Sequence, residues 1–206
     1  MKITLDWLKE KNACGEARRE FAKRFPEGAE YQDVLDALAA ENNFEWAYWL
    51  MHAAGPVDTV LEVEELTAEA SLFFAGKVIV KGAIEVAKWI LAGEGIEAGE
   101  GIEAGEGIEA GWGIEAGEGI EAGWGIKAGG GIEAGWGIEA GWGIEAGGGI
   151  EAGWGIEAGN DLGIYAGLRL RISLKAKYAV VKAKEMPNNL LLGTFEKREK
   201  EVEAGA

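Results

Sequence analysis

A six-residue alternation of apolar and charged positions runs through the middle of the chain. From Gly95 to Gly159, eleven consecutive hexapeptides read Gly-Ile-Glu-Ala-Gly-x, with Lys127 in place of the glutamate in one of them. The isoleucine and alanine positions stay apolar when the step of six is extended from Leu72 to Leu174. Such alternation is typical of a strand, and the remaining Gly-x-Gly favours a turn. Each hexapeptide is therefore predicted to form one short strand and one corner of a β-solenoid.

The variable corner slot leaves open how many hexapeptides make one coil. With two per coil, Trp112, Trp124 and Trp136 would stack on one another. With three per coil, Trp136 would stack on Trp154 and Trp124 on Trp142. We favour three, because three inward isoleucines fill a triangular core better than two sheets lined partly with alanine. About 18 hexapeptides would then give about six coils, stacked at about 4.8 Å each.

The segment that precedes Gly55-Pro56 shows helical periodicity instead. Four helices are predicted, over Asp6–Lys11, Ala13–Phe25, Tyr31–Ala40 and Phe44–Ala54, the first capped by Thr4 and the second ended by Pro26. Such a small unit is expected to dock on the solenoid, since its own core is marginal. The predicted organisation is a small helical module over 1–56, a connection over 57–71, a β-solenoid over 72–184, and a C-terminal cap strand with a charged tail over 185–206.

The C-terminal end of the repeat is chemically different from its middle. The segment Leu168–Lys177 alternates apolar residues with four basic residues and one serine, which predicts a strand with a basic outer face. After a turn at Pro187-Asn188-Asn189, the segment Leu190–Phe195 is predicted to be a last strand or cap. Solenoids need atypical or covered terminal coils to prevent further stacking.

The charge of the chain narrows its partners. The net charge is −16, and residues 71–160 hold 15 acidic but only 4 basic side chains. A field of this sign repels phosphate backbones and attracts basic partners, which argues against direct binding of nucleic acid. The single cysteine suits a reducing compartment, and neither a signal peptide nor a membrane-spanning stretch is expected. We therefore expect a cytoplasmic protein.

Residues suited to catalysis are few. Hexapeptide solenoids include acyltransferases with a histidine base, but the one histidine, His52, falls on the fourth predicted helix. Cys14 is interpreted as a small buried apolar residue. The outward glutamates are uniform, whereas acid–base pairs need two carboxyl groups in different environments. The Asp-rich loops of calcium solenoids are missing, so binding of a divalent cation by the glutamate row is a lesser alternative. The sequence predicts no enzyme activity, cofactor or metal.

Two parts of the chain resemble known families. The stretch from Leu8 to Cys14, together with Val34–Leu38 and Glu45–Leu50, resembles a small helical module at the start of many phage and bacterial proteins, some of them labelled immunity proteins. The Gly-Trp-Gly-Ile-Glu-Ala-Gly repeats, with the basic segment after them, are similar to hexapeptide proteins of phages and prophages. Neither family implies catalytic residues. The resemblance implies a phage origin.

The candidate partner-binding residues are the outward glutamates and the corner tryptophans of the repeat. The glutamate row is interpreted either as a solubility device or as a rod of charge that imitates a nucleic acid. The tryptophans share their slot with glutamate, so they are expected to face solvent, where they would form an interface or brace the corners. Trp89, one slot later, is predicted to contact the helical module or to act as a cap. The full set is Trp112, Trp124, Trp136, Trp142, Trp154, Glu97, Glu103, Glu109, Glu115, Glu121, Glu133, Glu139, Glu145, Glu151 and Glu157.

Two hypotheses of function follow from this surface. The favoured one is a non-enzymatic, phage-encoded inhibitor in the cytoplasm of the host cell. Its target is expected to be a host protein with a basic surface, one that handles nucleic acid or takes part in defence. The alternative is a structural, assembly or spacer element that forms a homo-oligomer by stacking its acidic end on its basic end.

Overall fold

The computed structural model describes residues 1–159, 163–170 and 172–198 of the chain. It shows a parallel β-solenoid preceded by a small helical module, which confirms the predicted fold class. Within these ranges, none of the helices combines the length and the apolar character needed to cross a membrane.

The helical module contains four helices and one pair of very short strands. Its elements are β1 (Lys2–Ile3), α1 (Leu5–Glu10), α2 (Gly15–Arg24), β2 (Ala29–Glu30), α3 (Tyr31–Ala40) and α4 (Phe44–Ala54). The bounds of α3 and α4 are those predicted, and the other two helices are shifted by one or two residues. The hydroxyl of Thr4 accepts a hydrogen bond from the Trp7 amide at 3.2 Å, as expected of an N-cap. The antiparallel pair β1–β2 was not predicted, because such short strands cannot show an alternation.

Three parallel sheets form the walls of the solenoid, and the chain visits them in turn. The first sheet contains β3 (Val60–Val63), β6 (Lys77–Val80), β9 (Ile96–Ala98), β12 (Ile114–Ala116), β15 (Ile132–Ala134), β18 (Ile150–Ala152), β21 (Val180–Ala183) and β23 (Thr194–Lys197). The second sheet contains β4 (Leu66–Ala68), β7 (Ile84–Val86), β10 (Ile102–Ala104), β13 (Ile120–Ala122), β16 (Ile138–Ala140) and β19 (Ile156–Ala158). The third sheet contains β5 (Leu72–Phe74), β8 (Ile90–Ala92), β11 (Ile108–Ala110), β14 (Ile126–Ala128), β17 (Gly143–Ala146), β20 (Gly163–Tyr165) and β22 (Leu190–Leu192).

Each coil consists of three hexapeptides. Ile102 pairs with Ile120, and Ile120 pairs with Ile138, so each isoleucine pairs with the one that lies three hexapeptides further along the chain. This register confirms the favoured alternative of three hexapeptides per coil. The inward isoleucines are almost completely buried, and burying one such side chain contributes roughly 1.5–3 kcal/mol. Every coil of the perfect repeat adds three of them to one continuous core.

The solenoid begins earlier than predicted. The segment 57–71, predicted to be a connection, carries β3 and β4, so the described residues form about seven coils rather than six. Leu66 pairs with Ile84 at the regular spacing of three hexapeptides, whereas the spacing between Leu61 and its partner Val78 is one residue shorter. Because of that missing residue, a fixed step of six does not reach the first strand.

The period also ends earlier than predicted at the C-terminal side. Ile164 pairs with Ile144 at a spacing that exceeds three hexapeptides by two residues, and the predicted inward position Leu162 lies outside the described residues. The predicted strand over Leu168–Lys177 is wrong: the chain turns after Gly167 and forms helix α5 (Ile172–Tyr178), with Arg171 outside the described residues. Leucine, lysine and alanine favour a helix, and this local preference prevails where the alternating pattern has no coil to join. The predicted last strand is present as two strands, β22 and β23.

Amide side chains cap one strand edge at each end of the solenoid. The Gln32 side chain on α3 donates to the carbonyl of Phe73 at 2.7 Å and accepts from the amide of Ala75 at 3.0 Å, along the outer edge of β5. At the other end, the Asn189 side chain donates to the carbonyls of Ala158 and Gly159, at 2.6 and 3.0 Å. Both contacts use backbone groups that would otherwise be free to pair with a further strand.

The two glycines of each repeat are not equivalent. A Cβ added at Gly117 would lie 2.0 Å from the carbonyl oxygen of Gly99 in the preceding coil, which is too close for any side chain. A Cβ added at Gly119 would lie 3.5 Å from the carbonyl oxygen of Gly137, which is an ordinary contact. The glycine after the alanine is therefore required by the stacking of the coils. The glycine before the isoleucine is not, although a Cβ added at Gly107 would lie 2.3 Å from the ring of Trp89.

We predict that Gly117→Ala lowers the free energy of unfolding by about 1–3 kcal/mol or more, because the coils must separate to admit the methyl group. The matched variant Gly119→Ala should leave stability unchanged or raise it by up to about 1 kcal/mol. Thermal and urea unfolding of both variants measure the difference. Equal effects of the two substitutions would contradict this account of the repeat.

Candidate functional site

The outward glutamates lie on three different faces of the solenoid. The second sheet carries Glu85, Glu103, Glu121, Glu139 and Glu157, one above the other and all exposed. Among the described strands of this sheet, no outward position holds a basic side chain. At about 4.8 Å per coil, the five carboxylates form a straight row about 19 Å long. Together with Trp136 they line a shallow groove of about 540 Å³.

The first sheet carries a row that is neutralised at both ends. Glu97 pairs with Lys77 at 2.5 Å. Glu151 lies 3.6 Å from Lys182 and 3.5 Å from Arg198. The two glutamates between them, Glu115 and Glu133, are exposed. This face therefore presents a short patch of negative charge between two ion-paired ends.

The third sheet serves as the docking surface of the helical module. Phe73 and Leu91, in its first two outward positions, are 1% and 3% exposed and pack in the core of the module. The next outward positions are Glu109, Lys127 and Glu145, which are partly buried. The prediction that the module docks on the solenoid is thus confirmed, and Glu109 and Glu145 do not share a face with the other candidate glutamates.

Lys127, the exception in the repeat, contacts this docked module. Its ammonium lies 3.3 Å from a Glu109 carboxylate oxygen, 3.5 Å from the Tyr48 hydroxyl and 5.7 Å from the centre of the Tyr48 ring. Burial alone lowers the pKa of Lys127, but Glu109 and Tyr48 outweigh it and the net shift is upward. Burial raises the pKa of Glu109, despite the opposing charge of Lys127. The pair therefore holds α4 against the solenoid, although burial makes the ionised form of Glu109 less favourable.

The five tryptophans occupy three corners. In the corner between the first and second sheets, the backbone amide of Trp154 donates a hydrogen bond to the carbonyl of Trp136. In the corner between the second and third sheets, the amide of Trp142 donates to the carbonyl of Trp124. Trp112 lies in the corner between the third and first sheets. All five are exposed, by 43% to 66%, which confirms that the corner slot faces solvent. Four of them therefore border the face of the second sheet, two on each side.

One tryptophan corner is continuous with the helical module. The Trp124 and Trp142 rings are stacked, with centroids 4.9 Å apart and an interplanar angle of 11°. Trp89 meets Trp124 edge to face at 5.7 Å and stacks on Phe44 of α4 at 4.0 Å. The predicted contact of Trp89 with the module is confirmed, and stacking of this kind braces the glycine-rich corner. Trp124 and Trp142 therefore brace the corner by stacking on each other and are still exposed to solvent.

The candidate site is the acidic face, which we define as the outward row of the second sheet with its four bordering tryptophans. It brings together Glu103, Glu121, Glu139 and Glu157 of the predicted set and adds Glu85, which the search within the perfect repeats missed. The signal for Glu85 was the six-residue step itself, since Ile84 and Val86 flank it in the inward positions. The other predicted glutamates and Trp112 lie on the remaining faces.

The residues considered for catalysis lie apart from this face. His52 is on α4, where its ring contacts Tyr48 at 4.0 Å and its Nδ1 donates to the Tyr48 carbonyl at 2.9 Å. The interpretation of Cys14 as buried is wrong: it is exposed, and its sulfur accepts a hydrogen bond from the Ala17 amide at the start of α2. In the part of the chain that the structure describes, no group of His, Cys, Asp and Glu side chains is arranged to hold a metal ion.

Comparison with known proteins bears on the helical module. A family model described as the YdhT N-terminal domain matches residues 1–54, the segment that ends with α4. No curated protein and no solved structure matches the chain significantly. The match agrees with the prediction of a distinct N-terminal module, and the phage origin stays an expectation.

We predict that Glu109→Gln stabilises the protein at pH 7. The raised pKa of Glu109 means that the folded state favours the protonated carboxyl group, so this contribution is present below the ordinary pKa of 4.5 and is lost as the pH rises. The difference in melting temperature between the variant and the parent should therefore be largest near pH 7 and should shrink towards pH 4. Glu115→Gln, on the exposed part of the first sheet, is the control. A variant less stable than the parent at pH 7 would show that the ion pair with Lys127 dominates instead.

Proposed function

We propose that this protein is a non-enzymatic interaction module whose acidic face binds a basic surface of another protein. The observation that carries the proposal is the combination of an unbroken row of exposed glutamates with two exposed tryptophans along each side. The charges steer a basic partner to the face. The tryptophans provide apolar contact area, and the affinity gained by burying it is not screened by salt. A row that served solubility alone would need no large apolar side chains beside it.

The sharper form of the proposal is imitation of a nucleic acid. A phosphate backbone presents one charge for about every 3.4 Å along each strand, and the acidic face presents one for about every 4.8 Å. A basic groove that evolved for phosphates could therefore contact several carboxylates at once. The target in this proposal is a host protein that handles nucleic acid or takes part in defence, and the chain is a phage-encoded inhibitor of it. The resemblance to phage hexapeptide proteins supports this origin.

The two ends of the solenoid carry features that oppose end-to-end self-association. Gln32 and Asn189 occupy strand edges that stacking would need. In the last strand, the exposed Lys197 pairs with Ala183 and so occupies a column that holds alanine or valine in the other coils, and a charge in that column opposes addition of a further coil. The assembly hypothesis stays a prediction that the molar mass in solution, measured across a salt series, can decide.

We predict that Glu103→Gln with Glu121→Gln weakens binding to proteins captured from a bacterial lysate by about tenfold or more at low salt. The matched control is Glu115→Gln with Glu133→Gln, which removes the same charge from neighbouring coils on the first sheet. Affinity is measured with the purified captured protein, and duplex DNA should displace it if the face imitates a nucleic acid. Equal loss in both double variants would assign the effect to overall charge and contradict the proposed site.

The tryptophans allow a separate test that leaves the charge unchanged. We predict that Trp136→Ala with Trp154→Ala weakens the same complex by about tenfold or more and mainly raises its dissociation rate, since buried aromatic contacts are lost. Trp112→Ala, in the corner away from the acidic face, should change the affinity by less than about twofold. Melting temperatures of all three proteins control for loss of stability. If the Trp112 variant is as defective as the double variant, the acidic face is not the binding surface.

A further inference from the structure

The spacing of the acidic face indicates which kind of basic surface fits it. Resting on the proposed function, we infer that its partner element is a basic α-helix of about four turns, lying along the solenoid axis with one stripe of lysine or arginine side chains on the glutamate row. The inference follows from the axial repeat of the carboxylates, the width between the tryptophan corners and the absence of competing cations in the described row.

The axial repeat suits a helix better than an extended chain. Glutamates of successive coils are about 4.8 Å apart, and successive turns of an α-helix are about 5.4 Å apart. Over the four steps from Glu85 to Glu157 the two repeats differ by only about 2.4 Å, which flexible lysine and arginine side chains can absorb. In an extended strand, residues on one face are about 6.7 Å apart, so a strand places only about four of them along the row of about 19 Å. A strand would therefore leave at least one of the five glutamates without a basic partner, whereas a helix offers one side chain for each coil.

The width of the face also suits a helix. Trp136 and Trp142 border the same coil and are one hexapeptide apart, so their backbones are separated by at most about 20 Å. A helix with its side chains is about 10–12 Å across, so this limit leaves room for one helix and not for two side by side. The rings of Trp136 and Trp154 on one side, and of Trp124 and Trp142 on the other, can then contact the apolar flanks of the helix and the aliphatic stems of its basic residues.

Charge complementarity selects this face among the three. On the first sheet, Lys77, Lys182 and Arg198 already occupy the ends of the glutamate row. On the third sheet, α4 of the helical module lies along the outward residues, and Lys127 pairs with Glu109. The row from Glu85 to Glu157 has no such partner among the described residues, and a helix with a basic stripe would supply one for each coil. Helices of this kind are also what many proteins insert into the major groove of DNA, so the inference is consistent with imitation of a nucleic acid.

The test uses the full chain and two synthetic peptides of the same composition, each with about 16 residues, mostly alanine, and four lysines. In the striped peptide the lysines follow an i, i+4, i+7, i+11 pattern on one helix face; in the dispersed peptide they recur every fifth position and surround the helix. Peptide helicity is followed by circular dichroism, since peptides of this length are only marginally helical alone. Affinity is followed by calorimetry and by tryptophan fluorescence. We expect the striped peptide to bind about tenfold more tightly and to gain helicity on binding.

The outcomes separate this inference from the proposed function. Preference for the striped peptide that is lost in Glu103→Gln with Glu121→Gln, and retained in Glu115→Gln with Glu133→Gln, supports the helix on the acidic face. Equal binding of the two peptides, with loss only in the first double variant, overturns the helical partner and leaves a basic-surface partner standing. Striped-peptide binding that the first-sheet variant weakens as much overturns the assignment to this face. Binding of neither peptide at low salt overturns both proposals.

Discussion

Everything in the solenoid depends on parallel pairing between strands that lie three hexapeptides apart in the chain. Because each coil repeats the one before it at a step of about 4.8 Å, a residue type that suits one coil suits all of them. Isoleucine and alanine must point inward, and the glycine after the alanine must lack a side chain because a carbonyl oxygen lies about 2 Å from where its Cβ would be. The corner slot, the outward position and the glycine before the isoleucine escape this constraint. The outward and corner side chains therefore form columns along the solenoid axis. Successive members of a column are neighbours in space although they lie three hexapeptides apart in the chain.

The sequence predicted which residues point inward and which point outward, but not which outward residues share a face of the solenoid. The step of six identified the inward and outward residues, and Ile84, Glu85 and Val86 show that it holds beyond the perfect repeats. Which columns share a face depends on the number of hexapeptides per coil, and the corner residues fitted two or three about equally well. For this reason, the ten glutamates that were predicted to form one partner-binding site are divided among three sheets. At both ends the step fails by a residue or two, and α5 forms where local helix preference has no coil to oppose it.

The one lysine of the perfect repeats shows why contacts between distant segments escape a reading of the sequence. Lys127 lies 79 residues from Tyr48, and nothing in either local pattern connects them. In the folded protein, the module that carries Tyr48 covers the start of the third sheet and meets the lysine beside Glu109. Trp89 shows the same dependence, since its stacking on Phe44 continues into the corner column of Trp124 and Trp142. By occupying the third sheet, the module leaves the second sheet as the unbroken acidic surface.

The register of three hexapeptides per coil has a consequence for how such a gene can change. Loss or duplication of three hexapeptides shortens or lengthens every column by one rung and keeps each residue on its own face. Loss of one or two hexapeptides rotates everything downstream by a third or two thirds of a turn. If the loss precedes Trp124, one of the two tryptophan pairs that border the second sheet would leave it, the other pair would move to its opposite side, and Lys127 would no longer meet Tyr48. Recombination between near-identical hexapeptides can thus relocate a whole surface without disturbing the core, so length variants that keep function should differ in units of a full coil.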